Sequence, residues 1–333
     1  MEHLRENRPI QPRRQPQKGL TRFRYETPEG EVRDAAESVR RWWWEYLRLS
    51  KDYWLVCKTS SNRNSPRTID EGLARIFQKF GNIYDITFED WWRRMGATVF
   101  QEQYGPPKVI EIEEDLSNLR ETRFGTVLLQ VPLDLSRITI QRQISRILKE
   151  YDDQRPRSKL EISTSEFPIH PARYRMHILQ AMHEAHCLHR ELIDKPNELR
   201  KLAGTKDERK EWKKRYEQRA DLFRIGKLLR ISPNNEKLIG DEKTIREKQN
   251  RMRASVSRYL RRAQQLISNV EYGRFPVFST HRKHIERFSK TQKERHIELE
   301  AEWWALDLTS DLSGNTVQDA RRLHYSEHGN DFV

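Results

Sequence analysis

Cysteine is scarce: Cys57 and Cys187 are the only two. That excludes a disulfide framework and fits a reducing compartment. No stretch approaches the roughly 18 consecutive apolar residues needed to cross a bilayer. The N-terminal segment carries Arg and Pro but no apolar h-region, so no secretory signal is read from it and a cytoplasmic, nucleoid or nuclear location is expected. Catalytic signatures are missing as well: there is no Walker A, GxGxxG, GxSxG or EF-hand pattern. No repeat recurs at a period of roughly 20–50 residues, which argues against a solenoid. These absences set the expectation of a membrane-free protein with no catalytic residue, no metal and no cofactor.

Apolar residues are also sparse, at 35% of the chain, but those present are large: nine Trp, twelve Phe and eleven Tyr. Such a chain can build several small cores joined by solvated helices. Acidic residues are the outnumbered sign, 50 Asp and Glu against 63 Lys and Arg, for a formal net charge of +13. A polyanionic partner is the simplest reading, because Lys and Arg that neutralise phosphates release counterions. DNA is the first choice and RNA the second.

Helical periodicity dominates, so the expected class is mainly α with a small α+β N-terminal domain. Residues 1–34 read as a basic arm in which Arg alternates with Pro and Gln. Residues 35–155 read as the Trp-rich α+β domain. Within it, 35–58 has helical character, and Thr68 to Glu71 has the form of a capping box before a helix that Gly81 stops. Thr87 opens a third helix and Ser136 a fourth, while 108–113 and 126–132 read as strands. Residues 156–171 form a linker. Residues 172–280 read as a helical basic domain with helices over 172–194, 206–231 and 244–270. Residues 281–333 are a charged tail whose Trp303 and Trp304 dock it.

The helix over 244–270 is the most regular in the chain. Met252, Val256, Tyr259, Leu260, Ala263, Leu266, Ile267 and Val270 fall on roughly one half of its wheel. Arg251, Arg258, Arg261, Arg262 and Gln265 occupy the other side, with Arg253 at the edge. Two fragments here, Leu222 to Ser232 and Val256 to Ala263, resemble the first helix with its turn and the recognition helix of helix-turn-helix DNA-binding proteins. The resemblance implies that Arg251, Arg253, Ser255, Ser257 and Arg258 face the groove; from the basic side of the wheel, Arg261 and Arg262 are expected to join Arg251 and Arg258 in phosphate and base contacts. The resemblance also bears on the first fragment. It places Arg224, Lys227 and Arg230 near phosphates. More than twenty residues separate the fragments, where the family uses a turn of about three or four. An expanded helix-turn-helix and a plain helical hairpin with a basic outer face therefore both stay open.

Other clusters have blander readings. His177, His183, His186, Cys187 and His189 share one helix, and His183 to Cys187 falls one ligand short of HExxH, so the polar flank of a packed helix is preferred over a metal site. Trp42, Trp43 and Trp44 cannot all point one way on a helix, so at least one is expected to be exposed or covered by a protein partner or a second copy. Glu111, Glu113, Glu114 and Asp115 read as a solvated face rather than a nuclease site. Duplex-DNA binding is the leading expectation, ahead of an RNA-binding subunit, a metal-dependent nuclease and a scaffold for an acidic protein.

Overall fold

The computed structural model describes residues 28–102, 127, 129–151, 163, 165–170, 175–202, 205–215, 221–279, 286–309 and 314–326. They pack as two units, one formed from residues between Phe100 and Pro168, the other from those up to Val99 and from Ile169 on. The fold is mainly α. Among the described residues there is no strand, only an isolated parallel bridge between Ile169 and Phe275. Of the two expected strands, 108–113 lies outside the described residues, and Val127 and 129–132 belong to no ladder.

In the larger unit, α1 (Pro28–Ala36) places Pro at its first position and Glu29 and Glu31 in its first turn, as the helix dipole favours. The last residues of the expected basic arm are therefore helical, because Val32 and Ala35 have a core to enter. Next come α2 (Val39–Arg48) and α3 (Lys51–Thr59). The helix expected over 35–58 is thus broken, because Ser50 caps α3 by accepting from the Tyr53 amide at 3.0 Å. Helix α4 (Glu71–Phe80) is capped by Asp70, which accepts from Gly72 and Leu73, and ends at Gly81 with φ 68°. The hydroxyl of Thr68, the expected cap, instead donates to the Arg287 carbonyl at 2.7 Å. Helix α5 starts at Phe88–Trp91 under the expected Thr87 cap, then runs through a π turn at Trp92–Gly96 into Ala97–Val99.

Helix α2 is the centre of this unit. Every residue from Val39 to Leu47 is buried, including Arg40, Arg41 and Glu45. The expectation that one of the three tryptophans is exposed is overturned, because each meets a different neighbour. Trp42 lies edge-on to His183 at 5.6 Å, Trp43 packs on Phe80 and Phe275 at 6.3 and 5.8 Å, and Trp44 on Phe88 and Trp91 at 5.7 and 6.5 Å. The buried Arg41 guanidinium is matched by two carboxylates, sitting 2.7 Å from Glu45 and 3.3 Å from Glu89.

In the smaller unit, Ser136 caps α6 (Arg137–Lys149) by accepting from the Thr139 amide at 3.3 Å, and none of the helix residues is buried. Ser163 and the Ser165 amide both donate to the Glu102 carboxylate.

The larger unit resumes with α7 (Met176–His189), a π turn at Arg190–Asp194, α8 (Lys195–Leu202) and α9 (Lys206–Arg215). Then follow α10 (Leu222–Leu228), α11 (Glu242–Val270), α12 (Lys290–Glu298), α13 (Glu300–Ala305) and α14 (Gly314–Ser326). Helix α11 packs on α2, α7 and α10. Tyr46 on α2 donates to the Leu179 carbonyl on α7 at 2.8 Å. The expected boundary between a Trp-rich domain at 35–155 and a basic domain at 172–280 is therefore not where the chain divides: helices from both share one core. The expected tail is part of it too. Trp303 is buried against Trp54 at 5.6 Å, and Arg287 bridges Asp52 at 2.8 Å and Glu271 at 2.7 Å.

Candidate nucleic-acid interface

Helix α11 begins two residues before the expected Thr244, because Asp241 is its cap and accepts from the Thr244 amide at 3.2 Å. Its inner stripe is as the periodicity requires: Met252, Val256, Ala263, Leu266, Ile267 and Val270 are buried, with Tyr259 and Leu260 half-buried. On the outside, Arg251, Ser257, Arg258, Arg261 and Arg262 are exposed. After Glu247 the helix contains no carboxylate.

These cations are only lightly committed. Arg251 lies 3.5 Å from Glu247 across one turn, and both are exposed, so the pair contributes little. Arg262 sits over the Phe278 ring at 5.6 Å. Arg258 and Arg261 make no ion pair among the described residues.

The remaining expected contact residues divide. Lys227 and Arg230 are exposed, Arg230 ending α10 in the left-handed conformation at φ 50°. Three others turn to internal duties. Arg224 is half-buried and donates to the buried His324 ring at 3.4 Å. Arg253 grips Asp221 at 3.0 and 2.8 Å, while Asp221 caps α10 by accepting from the Arg224 amide at 2.8 Å. Ser255 is half-buried, and its hydroxyl donates to the Arg251 carbonyl at 3.0 Å. The sequence offered a signal for Arg253 in its place at the edge of the wheel. Its partner Asp221, 32 residues away, was not visible.

The helix-turn-helix geometry is not reproduced. Helices α10 and α11 do pack closely, since a Cβ at Gly226 would lie 2.5 Å from Met252 Cγ and 3.0 Å from Val256 Cγ2. The chain between them, however, runs through a 3₁₀ turn at Pro233–Asn235, and Lys248 Nζ fastens the rest by donating to the Lys237 and Ile239 carbonyls at 3.0 and 2.9 Å. Fragment Val256 to Ala263 lies in the middle of a 29-residue helix rather than at its start. A helical hairpin with a basic outer face describes the arrangement.

The histidine cluster is mostly packed away. Burial pushes His183 down to about 3, where it faces Trp42, Tyr46 and Cys187 Sγ, the last at 3.7 Å. Burial likewise lowers His186 to about 4 and raises both cysteine thiols. His189 pairs with Asp194 at 2.8 Å. Among the described residues no three His, Cys, Asp or Glu side chains converge to hold a metal ion, and the acidic cluster at 111–115 lies outside them. No described helix is long and apolar enough to cross a membrane. The chain matches no known protein family, no curated protein and no solved structure.

Proposed function

We propose that this chain binds duplex nucleic acid, DNA in preference to RNA, by laying the outer face of α11 along phosphates. The observation that carries the reading is the run of exposed Arg251, Arg258, Arg261 and Arg262 on a helix with no carboxylate after Glu247. From Arg251 to Arg262 the helix rises about 16 Å, which is about five base-pair steps of a duplex. Exposed Lys227 and Arg230, at the end of α10, add two further cations.

Two considerations favour duplex DNA. Single strands are held by aromatic platforms on which bases stack, and among the residues whose side chains are described Tyr151 is the one exposed large aromatic. A-form RNA has a major groove too narrow to admit a helix, while that of B-DNA admits one. The Trp-rich helices now have a different role: their tryptophans form the core, so any protein partner or second copy must use another surface. The apolar alternation at 108–113 supports a strand there and a small α+β part.

Competition among duplex DNA, single-stranded DNA and duplex RNA of equal length, at one salt concentration, tests the choice. Duplex DNA is expected to bind most tightly. A clear preference for RNA overturns it in favour of an RNA-binding subunit.

A further inference from the structure

Exposed cations on the helices of this chain are commonly answered by a carboxylate one turn away. Arg93 pairs with Asp90, Lys201 with Glu198, Lys210 with Asp207, Arg246 with Glu242, and Arg322 with Asp319, at 2.5 to 3.9 Å. Such pairing keeps a solvated helix soluble without creating a net field. The outer face of α11 beyond Arg251, where Arg258 and Arg261 make no ion pair among the described residues, departs from this pattern, and so does α6 in the smaller unit.

Helix α6 carries Arg137, Arg142, Arg146 and Lys149, and no acidic residue lies between Leu135 and Lys149. Arg142, Arg146 and Lys149 follow at i, i+4 and i+7, within about 60° of the helical wheel, and all three are exposed. None of the four cations makes an ion pair among the described residues. The opposite side holds Ile140, Ile144 and Ile147, which line a shallow groove with Leu129, Val131 and Pro132. The cation row therefore stands apart from the apolar side. The helix dipole accounts for a cation in the last turn, as with Arg146 and Lys149. It does not account for Arg142, and it disfavours Arg137 at the first helical position.

We infer that the row Arg142, Arg146 and Lys149 on α6 is a second phosphate-binding site. The inference rests on the nucleic-acid reading, because the ligand is the same polyanion. Each site alone is short. Contacts of this kind neutralise phosphates and read no sequence.

The test uses the full chain, a fluorescent DNA duplex and a salt series, with variants R142Q/R146Q/K149Q and R142K/R146K beside the wild type and R251A/R258A/R261A. Removing three phosphate contacts is expected to reduce the slope of log K against log salt by about 2.7. The lysine variant, which keeps the charge, is expected to bind like the wild type. Circular dichroism and melting should be unchanged in both α6 variants, since no side chain of α6 is buried. Wild-type affinity and slope in the glutamine variant, with weakening in the α11 variant, would overturn the second site and leave the first intact. Weakening in the α6 variant alone would uphold the second site and remove α11 as a docking element. Failure of the wild type to bind duplex DNA at all would overturn both.

Discussion

At Gly226 the absence of a side chain sets how closely α10 lies on α11. An added methyl would meet Met252 Cγ at 2.5 Å and Val256 Cγ2 at 3.0 Å, atoms rooted in the buried stripe rather than at the tips of flexible chains. Gly226→Ala is therefore expected to destabilise by about 1–3 kcal/mol, despite the better helix propensity of alanine. Urea titration measures it, and an unchanged midpoint would show that the two helices separate without cost. His183 makes a second prediction. Its folded value of about 3 lies below the ordinary 6.5, so the unfolded chain takes up the proton first. The stability that the neutral ring allows is whole above pH 6.5 and is lost as pH falls from there toward 3. At pH 5 the loss is roughly 2 kcal/mol. Melting at pH 7 and pH 5 should show a smaller difference in His183→Gln than in the wild type. An equal difference would assign the acid sensitivity to other groups. The sequence places this histidine on the polar flank of its helix, whereas its side chain is fully buried. The depth of its burial came from Trp42 and Tyr46, more than a hundred residues earlier.

At the scale of elements, the most telling helix is α2, where charge and tryptophan are buried together. The Glu45 carboxylate meets the Arg41 guanidinium at 2.7 Å and Arg48 at 3.4 Å. Glu45→Ala removes the carboxylate 2.7 Å from Arg41, while Glu89, at 3.3 Å, is only half-buried. Breaking a buried pair from one side costs about 3–5 kcal/mol, and thermal or denaturant unfolding should show a loss of that order. A near-neutral result would mean that water reaches Arg41. Local signals located several element ends well: Thr87 and Ser136 cap their helices and Gly81 ends α4. They failed where two cap residues stood close together. Asp70 and Asp241 took the role expected of Thr68 and Thr244, since a carboxylate at a helix N-terminus also gains from the dipole. The inner and outer faces of α11 were legible because a 3.6-residue period over 29 residues admits few other readings.

For the whole molecule, periodicity could not show which helices share a core. The Trp42 to Trp44 run has apolar character all round, which is the mark of a helix enclosed on every side. The enclosing rings and helices come from Phe80, Phe88, His183 and Phe275, so no local window contains them. The same distance effect hid the pairing of Arg253 with Asp221 and the hold of Arg287 on Asp52 and Glu271. Among the described residues, Arg258 and Arg261 on α11 and Arg142, Arg146 and Lys149 on α6 stay exposed and in no ion pair after this packing. The most direct test of that account is fluorescence-anisotropy titration of duplex DNA over a salt series, comparing the wild type with R251A/R258A/R261A. The account predicts that the variant melts like the wild type, since all three side chains are exposed. It also predicts weaker binding, with a salt slope reduced by about 2.7. Unchanged affinity and slope in a well-folded variant would contradict it and leave the outer face of α11 as no more than a solvated surface.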